Sequence, residues 1–156
     1  MKTLILTCGV PGSGKTTWAK RSTYNAKHIS RDVVRFSMIS DKDEYFAKEN
    51  DVFRIWIDQI QDALNSNDDT YQYVIADATH ITERSRYKTL RNLNFKDLII
   101  IYFDVPLQLC LKRNETRTGR EFVPENVIRD MFSKFEKPKE SEYGSPRVIR
   151  MSELDH

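Results

Sequence analysis

One run of eight residues restricts the fold more than any other: Gly9-Val10-Pro11-Gly12-Ser13-Gly14-Lys15-Thr16. Three glycines so close together disfavour a continuing strand or helix, so the chain has to turn there. Before it, Thr3 to Cys8 (TLILTC) is β-branched and aliphatic and reads as a buried strand. After it, Lys15 to Tyr24 reads as a helix. The run fits G-x-x-x-x-G-K-[ST] in full, and strand-before, helix-after is the context that pattern requires. Such a loop wraps its N–H groups around phosphate oxygens, and the first helical turn adds donors and a favourable dipole. On this reading Gly12, Ser13, Gly14, Lys15, Thr16 and Thr17 hold the phosphates of ATP. Lys15 reaches the β- and γ-phosphates, and the Thr16 hydroxyl is the ligand for Mg²⁺.

The rest of the chain alternates strands and helices. "KHIS" reads as a short second strand, and Glu44 to Asn65 as one long amphipathic helix with Phe46, Phe53, Ile57, Ile60 and Leu64 near helical spacing. "YQYVIAD" is a third strand, and "TERSRYKTLRNL" a helix capped by Thr82. "DLIIIYFDV" is the most apolar strand and is expected at the centre of the sheet. Pro106 and Pro124 each open a further helix, the second running through Phe135, and "PRVIRM" is the last strand. The expected fold is α/β: a parallel sheet of about five strands, helices on both faces and a small arginine-bearing lid. No repeat or linker breaks the pattern, so residues 1–156 read as a single domain.

Composition narrows the partners. A net charge of +2 is too small by itself to imply nucleic-acid binding, and no apolar run approaches a membrane span. The amino end lacks the pattern of a secretory leader, so the expectation is a cytoplasmic protein without membrane contact. Cys8 and Cys110 read as buried thiols, and the three histidines have no metal-ligand spacing.

Three further stretches concern where a phosphate would go. "ISRDVVR" ends the second strand, and Asp32 and Arg35, three apart, share a helical face. Asp32 is the candidate general base for a hydroxyl acceptor, and Arg35 the candidate for an anionic group on that acceptor. "VIADATH" ends the third strand with Asp77, in the manner of an acidic residue near the metal, followed by Thr79 and His80 at the mouth of the site. "LKRNETRTGREF" carries Arg113, Arg117 and Arg120 where small kinases have a lid. One arginine there would stabilise the transferring phosphate and a second would stack on adenine.

The segments "GVPGSGKTTWAK", "SRDVVR", "VIADAT", "FDVP" and "KRNETRTGREFVPENVIRDM" resemble those of the phage-type polynucleotide 5′-kinase domain over nearly the whole chain. That resemblance implies an adenylate-kinase-like P-loop phosphotransferase moving the γ-phosphate of ATP to 5′-hydroxyl ends of DNA or RNA. It implies Lys15 and Thr16 at phosphates and metal, Asp32 as base, Arg35 on the acceptor's phosphate and Arg117 as lid arginine. Asp77, Thr79 and His80 would meet the acceptor, although the family commonly has Asn where this chain has His80. The basic helix with Arg84, Arg86, Lys88 and Arg91 around Tyr87 would add contacts to a strand. The alternative is a P-loop kinase of a small molecule, such as a nucleoside, nucleotide or sugar, which shares every donor-side residue.

Overall fold

The computed structural model describes residues 1–21 and 25–152. Among the described residues the strands are β1 (Thr3–Cys8), β2 (Ala26–Ser30), β3 (Tyr73–Asp77), β4 (Leu98–Asp104) and β5 (Arg147–Ser152). The helices are α1 (Lys15–Arg21), α2 (Arg31–Met38), α3 (Glu49–Asn65), α4 (Glu83–Leu90), α5 (Leu107–Glu115) and α6 (Glu125–Lys134), with a 3-10 turn at Gly119–Glu121. The end of the expected first helix, up to Tyr24, lies outside the described residues.

All neighbouring strands run parallel, in the order β2-β3-β1-β4-β5. The centre therefore belongs to β1, and β4 sits one place to its side. The apolar character of β4 reflects cover on both faces and a neighbour at each edge, conditions that β1 meets equally. Alternation along β1 splits its side chains between two layers. Leu4, Leu6 and Cys8 join Trp56, Ile60 and Leu64 of α3 and Leu90 of α4. On the other side, Ile5 joins Ile75, Ile101 and Phe103 with Ala19 and Trp18 of α1. Each large aliphatic side chain so withdrawn from water contributes roughly 1.5–3 kcal/mol. A third cluster, Val10, Val105, Cys110, Leu111 and Ile128, packs α5 and α6 beside the glycine loop.

The chain leaves β1 toward β2 and leaves β3 in the opposite sense, toward β4. These adjacent strands thus part at their carboxyl ends, the place where open α/β sheets hold ligands. Thr82 caps α4 as expected, accepting from Ser85 N while Ser85 Oγ accepts from Thr82 N. The long helix differs from expectation: α3 begins at Glu49, and residues 45–48 form turns. The reason is tertiary. Lys48 Nζ donates to Met38 O and the Tyr45 hydroxyl reaches back to α2, so the segment folds over α2 instead of extending α3.

Candidate active site

The loop after β1 is tied to its surroundings through backbone. Gly9 N donates to Thr79 O at 2.8 Å, and Ser13 N to Val10 O at 3.1 Å. Gly12 and Gly14 have φ of 86° and 96°, where a side chain is strained. A Cβ on Gly12 would also lie 2.4 Å from Cys110 O, so close approach to α5 needs the glycine as well. Ser13 Oγ is buried with no hydrogen-bond partner in the protein, an orphaned polar atom inside a loop shaped for phosphate.

Asp77 closes this wall at the end of β3. Its Oδ1 accepts from Thr7 Oγ1 at 3.0 Å and its Oδ2 from Thr16 Oγ1 at 2.9 Å, with His28 Nε2 2.8 Å from the same Oδ2. Burial alone would raise the pKa of Asp77. Hydrogen bonds from His28 and Thr16 and the charge of Lys15 outweigh burial and hold the carboxyl below its ordinary value. A hydroxyl beside an ionised carboxylate is a hard-oxygen donor set, which suits Mg²⁺ held by one or two protein groups plus phosphates. Among the described residues no cluster of three or more acidic, histidine or cysteine side chains offers a self-sufficient metal cage.

The opposite wall is α2 and the segment after it. Ser30 caps α2, its Oγ accepting from Val33 N at 3.2 Å, and so sets Asp32 and Arg35 on one face. Asp32 remains 56 % exposed, whereas Arg35 is buried. Arg35 Nη1 donates to Asp32 Oδ1 and to the Tyr45 hydroxyl at 2.8 Å; Nη2 donates to both oxygens of Glu49 at 2.9 and 2.7 Å. Arg31 Nη2 shares Glu49 Oε1. Both terminal nitrogens of Arg35 are therefore engaged inside the protein. The fork expected to meet an acceptor phosphate faces Glu49, Asp32 and Tyr45, while Arg35 lines the cleft and its Nε has no partner.

The three arginines of the lid segment separate clearly. Arg113 Nη1 donates to Gly12 O at 3.2 Å and so lies on the glycine loop. Arg120 bridges to the segment after α2, donating to Ile39 O at 2.9 Å and pairing with Asp41 at 3.1 Å over the Phe36 ring. Arg117 has no side-chain hydrogen bond or ion pair among the described residues, and it lines the cleft. That cleft, about 1360 Å³, also takes in Lys15, Thr16, Thr17, Asp32, Arg35, Asp77 and Thr79. Gly12, Ser13 and Gly14 form the loop behind Lys15.

His80 does not join them. It is 3 % exposed, with Nδ1 2.9 Å from Thr7 O and Nε2 3.0 Å from Thr89 Oγ1, and its ring lies against Trp56. Burial pushes its pKa down to about 4, so it is neutral near pH 7. The expected place at the mouth of the site is thus corrected to a core position, because the turn after β3 carries a residue with φ of 44° that aims its side chain inward. In the basic helix one residue is corrected likewise, while Arg84, Tyr87, Lys88 and Arg91 are exposed. Arg86 is buried, pairing through Nε and Nη2 with Glu142 at 2.8 and 2.9 Å, and no residue of α4 lines the cleft. Cys8 and Cys110 are buried thiols as expected; burial pushes Cys8 up to about 12.

Sequence reasoning missed Glu49, Tyr45 and His28. Glu49 and Tyr45 lie in a stretch that reads as uniform helix, and only their meeting with α2 gives them meaning. His28 shows no signal beyond its place on a strand that ends next to Asp77.

The family whose description is AAA domain matches residues 4–138. The L-seryl-tRNA(Sec) kinase of Methanococcus maripaludis is 24% identical over 148 residues, 86% of this chain and 53% of that protein. The chain thus spans about half the length of that curated relative. A structure of the Pnkp1/Rnl/Hen1 RNA repair complex aligns with a TM-score of 0.69 and 26% identity, over 85% of this chain and 43% of that one. A sugar kinase from Janibacter sp. aligns with a TM-score of 0.60 and 18% identity, over 97% and 85%, which shows a shared fold.

Proposed function

The chain belongs to the AAA domain family, with a P-loop kinase-like α/β fold, and on that premise we propose that it is an ATP-dependent kinase of 5′-hydroxyl polynucleotide ends, of the phage type. The observation that carries this reading is the shared cleft. Lys15, Thr16 and Asp77 line it from the glycine loop and β3, Asp32 from α2, and Arg117 from the lid segment. A nucleotide switch has no use for a carboxylate facing an acceptor. The likeness to an RNA repair complex and to a kinase of L-seryl-tRNA supports an acceptor that is, or is carried on, a nucleic acid.

In this reading Asp32 takes the proton of the acceptor hydroxyl as its oxygen forms a bond to the γ-phosphorus. The bond from that phosphorus to the β–γ bridging oxygen breaks, and ADP leaves with the electron pair. Lys15 and the loop amides hold the β- and γ-phosphates, and Arg117 meets charge on the equatorial oxygens. Thr16, with Asp77 behind it, would hold Mg²⁺, which supplies charge neutralisation at the phosphates. Asp77 orients the Thr16 hydroxyl, and Arg113 braces the loop through Gly12 O.

A small neutral hydroxyl compound is the second reading, favoured by one observation. Arg31 and Arg35 are matched by Asp32 and Glu49, so this wall offers no uncompensated positive charge to a strand. Labelled ATP with 5′-hydroxyl DNA and RNA oligonucleotides, nucleosides, nucleoside 3′-monophosphates and sugars distinguishes the two. Transfer to oligonucleotides with far higher kcat/KM than to nucleosides or sugars is the expected result. Equal kcat/KM for an oligonucleotide and a nucleoside moves the assignment to the small-molecule kinase.

A further inference from the structure

Asp32, Arg35 and Tyr45 form a closed ring of hydrogen bonds whose members come from α2 and from the turn before α3. Arg35 Nη1 donates to both Asp32 Oδ1 and the Tyr45 oxygen. The single hydroxyl proton of Tyr45 is then left for Asp32 Oδ1, at 2.5 Å. One carboxylate oxygen thus receives both bonds. The other, Oδ2, has no hydrogen-bond partner among the described residues, on a side chain that is largely exposed to the cleft.

From this asymmetry we infer that Tyr45 is a positioning residue for Asp32: with Arg35, itself held by Glu49, it fixes Oδ1 and presents Oδ2 to the acceptor hydroxyl. The inference rests on the reading of Asp32 as the base. A carboxylate free to rotate about its terminal torsion offers either oxygen in many directions, and a hydrogen bond to one of them removes that freedom. Tyr45 is itself well fixed. The Arg35 guanidinium lies 4.2 Å from its ring centre, and Phe46 and Phe36 meet the ring edge-on at 4.6 and 6.1 Å. Partial burial and the adjacent Asp32 charge raise its phenol above the ordinary value, which keeps it a proton donor at all working pH. The charged groups facing the pair are Arg35 and Arg31 of α2 and Glu49 of α3, with Lys15 and Arg117 across the cleft.

A tyrosine that merely fastens the turn would leave the basicity of Asp32 alone; one that donates to its carboxylate would not. Tyr45→Phe retains the ring and its stacking and removes only the donor. A bond to the charged form lowers a carboxyl pKa, so its loss raises it. The test follows the carboxyl carbon of Asp32 by NMR across pH in the parent chain and in Tyr45→Phe, its resonance identified by disappearance in Asp32→Asn. The expected result is a titration moved upward by roughly half to one pH unit. The acid limb of kcat/KM should move by the same amount, kcat at the optimum should fall about ten-fold, and ATP affinity should be unchanged. Site-specific 3-fluorotyrosine, a stronger donor, should move the titration downward. An unmoved titration in both variants overturns the inference. A moved titration with an acid limb that stays shows that Asp32 is not the base, and overturns the inference together with the reading beneath it.

Discussion

On the glycine-loop side of the cleft, the polar groups are backbone amides and a few side chains rooted in α1 and β3. On the α2 side they are charged side chains paired with one another, Arg35 with Glu49 over 14 residues of chain and Asp32 with Tyr45 over 13. The first arrangement depends on backbone conformation and on three side chains, Lys15, Thr16 and Asp77, that act on the phosphate side alone. The second depends on four side chains at once, so one replacement changes charge, orientation and shape together.

The division is open to direct attack. The largest effect is expected for Asp32→Asn, a loss of ~10²–10⁴-fold in kcat, with ATP affinity unaltered when measured by titration calorimetry. Weakened ATP binding in that variant would mean the two walls are not independent. Lys15→Ala attacks the other wall. It should lower turnover by ~10²–10³-fold with every acceptor and weaken ATP binding as well, since the ammonium serves ground state and transition state alike. Selective loss with one acceptor would break the comparison from the donor side.

Arg117→Ala sharpens it, because Arg117 is the lid arginine left without a partner. We expect kcat to fall by roughly ten- to a hundredfold with little change in the KM for ATP, and Lys in its place to restore only part. An unchanged kcat would hand the role to Arg113 or Arg120.

The smallest effect on catalysis belongs to His80, which lies behind both walls. Its pKa is about 4 in the folded protein against 6.5 unfolded, so the unfolded state binds the extra proton between those values. Stability is then full above pH 6.5 and falls as pH drops toward 4, by on the order of 3 kcal/mol. His80→Asn should flatten that slope in denaturant melts while leaving turnover at pH 7.5 within about two-fold. A slope equal to the parent's would assign the acid sensitivity to another group.

The glycine-loop wall was legible because its information is local. Gly9 to Thr16 specify turn and following helix within eight residues, and Asp77 announces itself as an acidic residue ending an apolar strand. The order of strands and helices was legible for the same reason: period and punctuation act over short stretches. What escaped depends on distant partners. Arg35 reads as a free cation until Glu49 is seen beside it, and His80 reads as a loop residue until Thr7, Thr89 and Trp56 enclose it. Arg86 looks like surface charge in a run of basic residues, and nothing near it in sequence points to Glu142, 56 residues away. The start of α3 failed similarly, since the apolar spacing continues through residues that tertiary bonds bend out of the helix.

The central position of β1 has a consequence for synthesis. Its residue Leu4 pairs with Val74 on one side and with Leu98 on the other. A ribosome adds about 5–20 residues per second, so β1 waits roughly 4–14 seconds for its nearer neighbour, and longer for its second. During that interval the apolar run Leu4–Leu6 has no sheet to enter, and the loop that follows has no Thr79 carbonyl to anchor Gly9. The glycine loop of a nascent chain therefore lacks this anchor until the third strand and Thr79 have been translated.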